Sequence, residues 1–222
     1  MIKRGFVVLV LMAAMFSNPA FVQAQQQAHV RVLHASPDAP PVDVYIDGKK
    51  QMEGVPFKQT SSYFNVPAGD HMITIFAAGD DPAETPVIEE TLLVEAGKNY
   101  TAAVVDEVDA IHLVVLEDEQ EVNRGGAAKL RAVHLSPDTP AVQLHLSAAN
   151  VDMPSLSFEN ASRYIDLPAG AYDLDIRMIE TDDVATEGNR LQVKEGTAYT
   201  AIVVGLQRGE PEFEVVLLTD TK

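Results

Sequence analysis

From about residue 30 onward, short runs of large apolar and β-branched residues alternate with polar ones. Val42, Val44 and Ile46 interleave with Asp43, Tyr45 and Asp47, the period of a strand with one buried face. Asp47-Gly48 behind them is a hairpin turn signal. Further runs of strand character fall at 72–76, 91–94, 100–105 and 111–116, and then at 142–146, 172–178, 191–193, 199–204 and 213–218. Weaker segments surround Val30, Tyr63, Leu130 and Tyr164. Most glycines and prolines lie between the runs. Short strands broken by turns every 8 to 12 residues or so predict an all-β sandwich.

The pattern occurs twice. Residues 30–47 read VRVLHASPDAPPVDVYID and residues 130–147 read LRAVHLSPDTPAVQLHLS, an offset of 100. Asn65-Val66-Pro67-Ala68-Gly69 matches Asp166-Leu167-Pro168-Ala169-Gly170 at an offset of 101. Gly97-Lys98-Asn99-Tyr100-Thr101 matches Gly196-Thr197-Ala198-Tyr199-Thr200 at 99. Such a period exceeds the roughly 20 to 50 residues of a solenoid unit and suits a duplicated small domain of about seven strands. Acidic residues, then Gly125-Gly126 and small residues, separate the copies. The expected plan is a β-sandwich over 28–118, a linker over 119–128 and a second β-sandwich over 129–222. A flexible linker of this kind predicts two copies that fold independently.

The region before the first strand reads differently. Lys3 and Arg4 precede an apolar run from Phe6 to Phe16, and Val22-Gln23-Ala24 places small residues before Gln25. This is the pattern of a signal peptide over 1–24, and the run is shorter than the ~20 residues that span a bilayer. The expected protein is secreted, to the periplasm or the extracellular space, with no membrane association after cleavage. There is no cysteine, so disulfides contribute nothing. The formal charge of −17 becomes −19 without the leader, 14 basic against 33 acidic residues. Nucleic acid and anionic surfaces are poor partners for such a chain.

His34-Ala35-Ser36-Pro37-Asp38 recurs as His134-Leu135-Ser136-Pro137-Asp138. Ser, His and Asp are the residue types of a hydrolytic triad. Triads, however, are assembled from separate elements, and five contiguous residues leaving a strand point their side chains apart. No Gly-x-Ser-x-Gly elbow is present. A structural corner fits better: the proline sets φ, Ser or Asp caps backbone N–H groups, and the His runs in phase with Val30 and Val32. Tyr100 and Tyr199, each opening a strand after a Gly turn, resemble the tyrosine corner of immunoglobulin-like sandwiches, where the hydroxyl bonds back to the turn.

Other chemistries find less support. His29, His34, His71, His112, His134 and His145 lack paired zinc spacing, and there is no thiolate. The acidic clusters at 80–81, 106–109, 173–175 and 182–183 do not follow a calcium-loop pattern and read as solvated charge. Without Trp, only Tyr45, Tyr63 and Tyr164 are available to stack a sugar. No Gly-rich phosphate loop occurs. No catalytic residue, metal site or cofactor is expected.

The opening motif of residues 30–48, the Val-Pro-Ala-Gly turn and Gly-x-x-Tyr-Thr together resemble the family known as domain of unknown function 4397. The resemblance implies exported bacterial immunoglobulin-like or fibronectin-like domains, often in tandem, without an assigned activity. The second copy departs at Gln143, His145 and Ser147, so any site built on Asp43 or Asp47 exists only in the first. The expected function is that of a non-enzymatic binding, adhesion or spacer protein with an extracellular or cell-wall ligand. The alternative is a hydrolase or carbohydrate-active protein with its site between the domains.

Overall fold

The computed structural model describes residues 27–119, 126–180 and 184–220; the expected leader and residues 120–125 of the expected linker lie outside them. The first copy supplies β1 (Gln27–His34), β2 (Val42–Ile46), β3 (Lys49–Val55), β4 (Phe64–Pro67), β5 (Gly69–Ala77), β6 (Ile88–Val94), β7 (Asn99–Val105) and β8 (His112–Asp118). The second supplies β9 (Ala127–His134), β10 (Val142–Leu146), β11 (Val151–Asp152), β12 (Ile165–Pro168), β13 (Gly170–Met178), β14 (Val184–Val193), β15 (Ala198–Val204) and β16 (Glu214–Thr219). Because β9 starts at Ala127, the last two residues of the expected linker belong to a strand.

Each copy forms a sandwich of two four-stranded sheets, ordered β4-β1-β7-β8 over β3-β2-β5-β6 and β12-β9-β15-β16 over β11-β10-β13-β14. Among the named strands, all pairings are antiparallel except β1 with β7 and β9 with β15. The described residues therefore form eight strands per copy where seven or so were expected. The one its pattern hid is β3, polar and mostly exposed. Turn chemistry holds it in place: Asp47 and Gly48 have φ of 51° and 74°, as a two-residue type I′ hairpin requires. β2, expected to be half-buried, is buried throughout. Lys50 and Gly54 of β3 cover Asp43, and Tyr45 packs edge-on against Phe76 with ring centroids 5.4 Å apart.

Each sandwich has its own core, with Val30, Val32, Val44, Ile73 and Ile75 in the first and Leu130, Ala132, Leu144, Leu174 and Ile176 in the second. A third cluster joins them. Leu33, Ala35, Ala103, Val105 and Leu116 pack with Val133, Leu135, Ile202, Val204 and Leu218. The outer face of the β1–β7 sheet thus lies against the outer face of the β9–β15 sheet. This is why β7 and β15 are buried at all seven positions. Independent copies were expected from the Gly-Gly linker, and the structure corrects this. A face that must leave water binds the two sandwiches to each other whatever the connecting chain allows.

Candidate functional site

The repeated corner follows β1 and β9. His34 and His134 are fully buried, and each Nε2–H donates to a backbone carbonyl, that of Pro40 or Pro140, at 3.1 Å. The Nδ1 of His134 accepts the Ser136 N–H at 3.3 Å. Ser136 Oγ donates to the Gly205 carbonyl at 2.7 Å and lies 2.6 Å from Thr139 Oγ1. The first copy has Ala39 where the second has Thr139, and Ser36 Oγ and His34 Nδ1 lack a hydrogen-bond partner among the described residues. Neither serine hydroxyl bonds to its histidine. Pro37 and Pro137 turn the chain so that the aspartates reach the loop after β7 or β15 instead. Asp38 accepts the Val108 N–H at 2.8 Å, and Asp138 accepts those of Gln207 and Arg208 at 2.7 and 3.0 Å. The partners lie some 70 residues away, not in the local turn where a cap was expected. Asp138→Ala, which strands two donors, should cost about 1 to 2 kcal/mol, and Asp38→Ala about half that. Denaturant melts giving equal costs for both would contradict the assignment.

Burial lowers the pKa of both corner histidines below 6.5, against the smaller raising effect of their carbonyl bonds. A histidine whose folded pKa is depressed binds its proton first in the unfolded chain. Its contribution to stability is therefore complete above about pH 6.5 and declines as pH falls below that value. His71, bonded to Asp47, and His112, beside Glu159, are shifted upward and act in the opposite sense. Ring-resolved NMR should find His34 and His134 taking up their protons at lower pH than His71 and His112; the reverse order would refute the assignment.

Tyr100 and Tyr199 sit at the other end of the same strands. Their hydroxyls accept the N–H of Glu95 and Lys194, each at 3.2 Å, across the turn behind them.

A buried polar network lies in the seam between the sandwiches. Arg31 leaves β1 and donates from Nε to Thr101 Oγ1 at 2.8 Å, from Nη1 to the Thr219 carbonyl at 2.8 Å and from Nη2 to Asp220 at 2.5 Å. Arg131 repeats the set from β9, donating to Thr200 Oγ1, the Glu117 carbonyl and Asp118. Each aspartate is held from its own copy. Asp118 accepts from Tyr63 at 2.5 Å and Thr101 at 2.6 Å, and Asp220 accepts from Tyr164 at 2.8 Å and Thr200 at 2.7 Å. The guanidiniums lie over the Tyr63 and Tyr164 rings, 4.7 and 4.8 Å from their centroids. No charged member is more than 4% exposed. Burial raises the Asp220 pKa against the opposing pull of Arg31. Two arginines balance two aspartates across an approximate two-fold axis, each arginine answering the other copy's aspartate.

Arg31, Arg131, Asp118 and Asp220 belong to no recognisable site motif, although each recurs at an offset of 100 or 102. The signal was present in the repeat. Of the tyrosines considered for sugar stacking, Tyr63 and Tyr164 belong to this network. Tyr45 borders a shallow groove of about 300 Å³ with Thr74, Phe76 and Glu89, but is itself only 8% exposed.

The rim of the seam carries two further cross-copy contacts. Lys58 meets Glu214 at 2.5 Å, and His112 Nε2 meets Glu159 at 3.0 Å. Asp106 adjoins the second pair, its ligating oxygen within 4.8 Å of those of His112 and Glu159.

Fold and seam together define a tandem pair of immunoglobulin-like β-sandwiches locked face to face by a buried ionic latch. The chain belongs to the family described as domain of unknown function DUF4397, whose sequence model matches residues 28–145 and 146–222. No curated protein matches it. Among solved structures it is similar to a streptococcal virulence factor that binds α-glucan, at 12% identity over 87% of this chain and 97% of that one, TM-score 0.28. A family-26 carbohydrate-binding module of Eubacterium rectale Amy13K matches at 9% identity over 86% and 96%, TM-score 0.26. The fimbrial anchor protein Mfa2 of Porphyromonas gingivalis matches at 11% over 87% and 97%, TM-score 0.20. Likeness at this level carries no ligand over to the present chain.

Proposed function

We propose that the chain is exported and acts outside the cytoplasm as a non-enzymatic binding or spacer module, one rigid double sandwich presenting its outer loops to an extracellular or cell-wall ligand. The observation that carries this reading is the seam. A buried apolar cluster and a charge-balanced latch hold two scaffolds in one orientation, which is what a spacer or presenting module needs and a hinged catalytic cleft does not. The alternative, a hydrolase or carbohydrate-active protein with its site between the domains, would need an open cleft in a seam that is lined by packed apolar side chains. The corner histidines and serines are fully buried, and His34, His134 and Ser136 bond to backbone carbonyls, which favours the same reading.

The test combines binding and turnover. Purified protein beginning at Gln25 should bind insoluble cell-wall polymer saturably while leaving ester, peptide and glycoside substrates unchanged. Turnover by the wild type that is lost in an equally stable Ser36→Ala/Ser136→Ala variant would replace this reading with the hydrolase. Mass spectrometry of the exported protein should show Gln25 at its start; an intact Met1 would refute export by leader cleavage.

A further inference from the structure

The two-fold relation between the copies lets one half act as a control for the other. Lys58 and Glu159 are equivalent: both follow the corner, both have positive φ (68° and 65°), and their N–H groups donate to the carbonyls of His34 and His134 at 2.7 and 2.8 Å. His112 and Glu214 are equivalent too, since His112 pairs with Val105 as Glu214 pairs with Val204. Asp106 and Gly205 each follow the strand, at φ of 71° and 84°. At one end of the seam, then, an ammonium group meets a carboxylate. At the other end the ammonium has been replaced by a carboxylate, the carboxylate by an imidazole, and the glycine by a second carboxylate. The built-in cation is missing where donor atoms accumulate.

We propose that Asp106, His112 and Glu159 bind a divalent transition-metal ion, zinc being the best match, which clasps the two sandwiches at this end of the seam. His112 is oriented for the task. Its Nδ1 lies 2.9 Å from the Ala110 carbonyl, and only an N–H can satisfy that oxygen, so in the neutral ring Nε2 carries the lone pair. A backbone carbonyl fixing the far nitrogen is the usual support of a metal-bound imidazole. Nε2 faces the Glu159 carboxylate at 3.0 Å, and the three donors already lie within 4.8 Å of one another. Donors on one tetrahedral zinc ion, each about 2.0 to 2.2 Å from it, are separated by roughly 3.3 to 3.6 Å. Closing the site takes a contraction of up to about 1.2 Å in the widest donor pair, a rotamer-scale movement that the partly exposed Glu159 side chain can supply. One nitrogen with two oxygens favours zinc and its neighbours over calcium or magnesium, which prefer all-oxygen shells. Three protein donors leave a fourth position to water. The ligands come from the β7–β8 connection and the first residue of β8 in one copy and from Glu159 of the other, which is why no spacing rule reveals them.

The inference stands independently of the chain's proposed role as a binding module. Its test is calorimetric titration of the chelator-treated protein, residues 25–222, with Zn²⁺. The expected result is one ion per chain, weakened roughly 10-fold or more in His112→Ala and in Glu159→Gln, since even outer-shell partners of a metal are worth about 10- to 100-fold. Glu214→Gln, which breaks the equivalent Lys58 pair, should leave binding unchanged, and tenfold excesses of Ca²⁺ and Mg²⁺ should not compete. An absence of Zn²⁺ binding overturns the proposal, as does binding unaffected by either substitution, which would place the ion on scattered surface acids. Should His112→Ala fail to fold, the wild-type protein still decides: Zn²⁺ must shift the His112 Nε2 resonance, and an unmoved resonance refutes the site.

Discussion

Replacing Arg31 with Met should destabilise the protein by about 3 to 5 kcal/mol, and both sandwiches should lose that stability together. The guanidinium is 3% exposed and satisfies Thr101, the Thr219 carbonyl and Asp220. Removing it strands the Asp220 carboxylate, which has no exposure at all. An uncompensated buried charge is the costly outcome, far more so than the modest net worth of an intact buried pair. Arg131→Met should behave alike through Asp118. In the double variant Arg31→Met/Asp220→Asn the losses should sum to less than the two single losses, because the stranded charge is itself removed. Denaturant unfolding, read by probes placed in each sandwich, checks both parts. A cost under about 1 kcal/mol, or a loss confined to the first sandwich, would show that the latch does not couple the copies.

Gly205→Ala is expected to cost roughly 3 kcal/mol or more. Its φ of 84° carries a penalty of about 1 to 2 kcal/mol for any residue with a side chain. The added Cβ would also fall 2.2 Å from the Glu212 carbonyl oxygen, a backbone atom that yields only by displacing the loop. The same glycine's carbonyl accepts from Ser136, so the disturbance should reach the buried corner. Gly196→Ala separates the two terms. Its φ is 66° but nothing lies within 4 Å of the new atom, so it should show the conformational penalty alone. Equal losses for the two variants would mean that the close approach at Gly205 is absent. The first copy carries Asp106 at the equivalent position, where its β7–β8 connection runs through a short 3-10 helix at Val108–Ala110.

Much of the fold was legible because strands announce themselves locally. Alternation marked Val42 to Ile46, β-branched runs marked β7 and β15, and Asp47-Gly48 marked its hairpin. The strand β3 was not legible, since a polar edge held by its neighbour needs no apolar periodicity. The segments near Val30 and Leu130 looked weak yet form central strands. Both of their faces are buried, so Arg31 and Arg131 interrupt the apolar run for a reason outside the strand itself.

The sequence alone determined the duplication, the all-β class, the position of the corners and the absence of disulfides. Each of these follows from residues close together in the chain or from identity between the copies. Only the tertiary structure decided that the copies share a core, that Arg31 answers Asp220 and Arg131 answers Asp118, and that Asp106, His112 and Glu159 converge. The physical reason is that a linear pattern records which faces avoid water, not which surface covers them. A buried charge is intelligible only when its partner, here almost 190 residues away for Arg31, has been brought alongside.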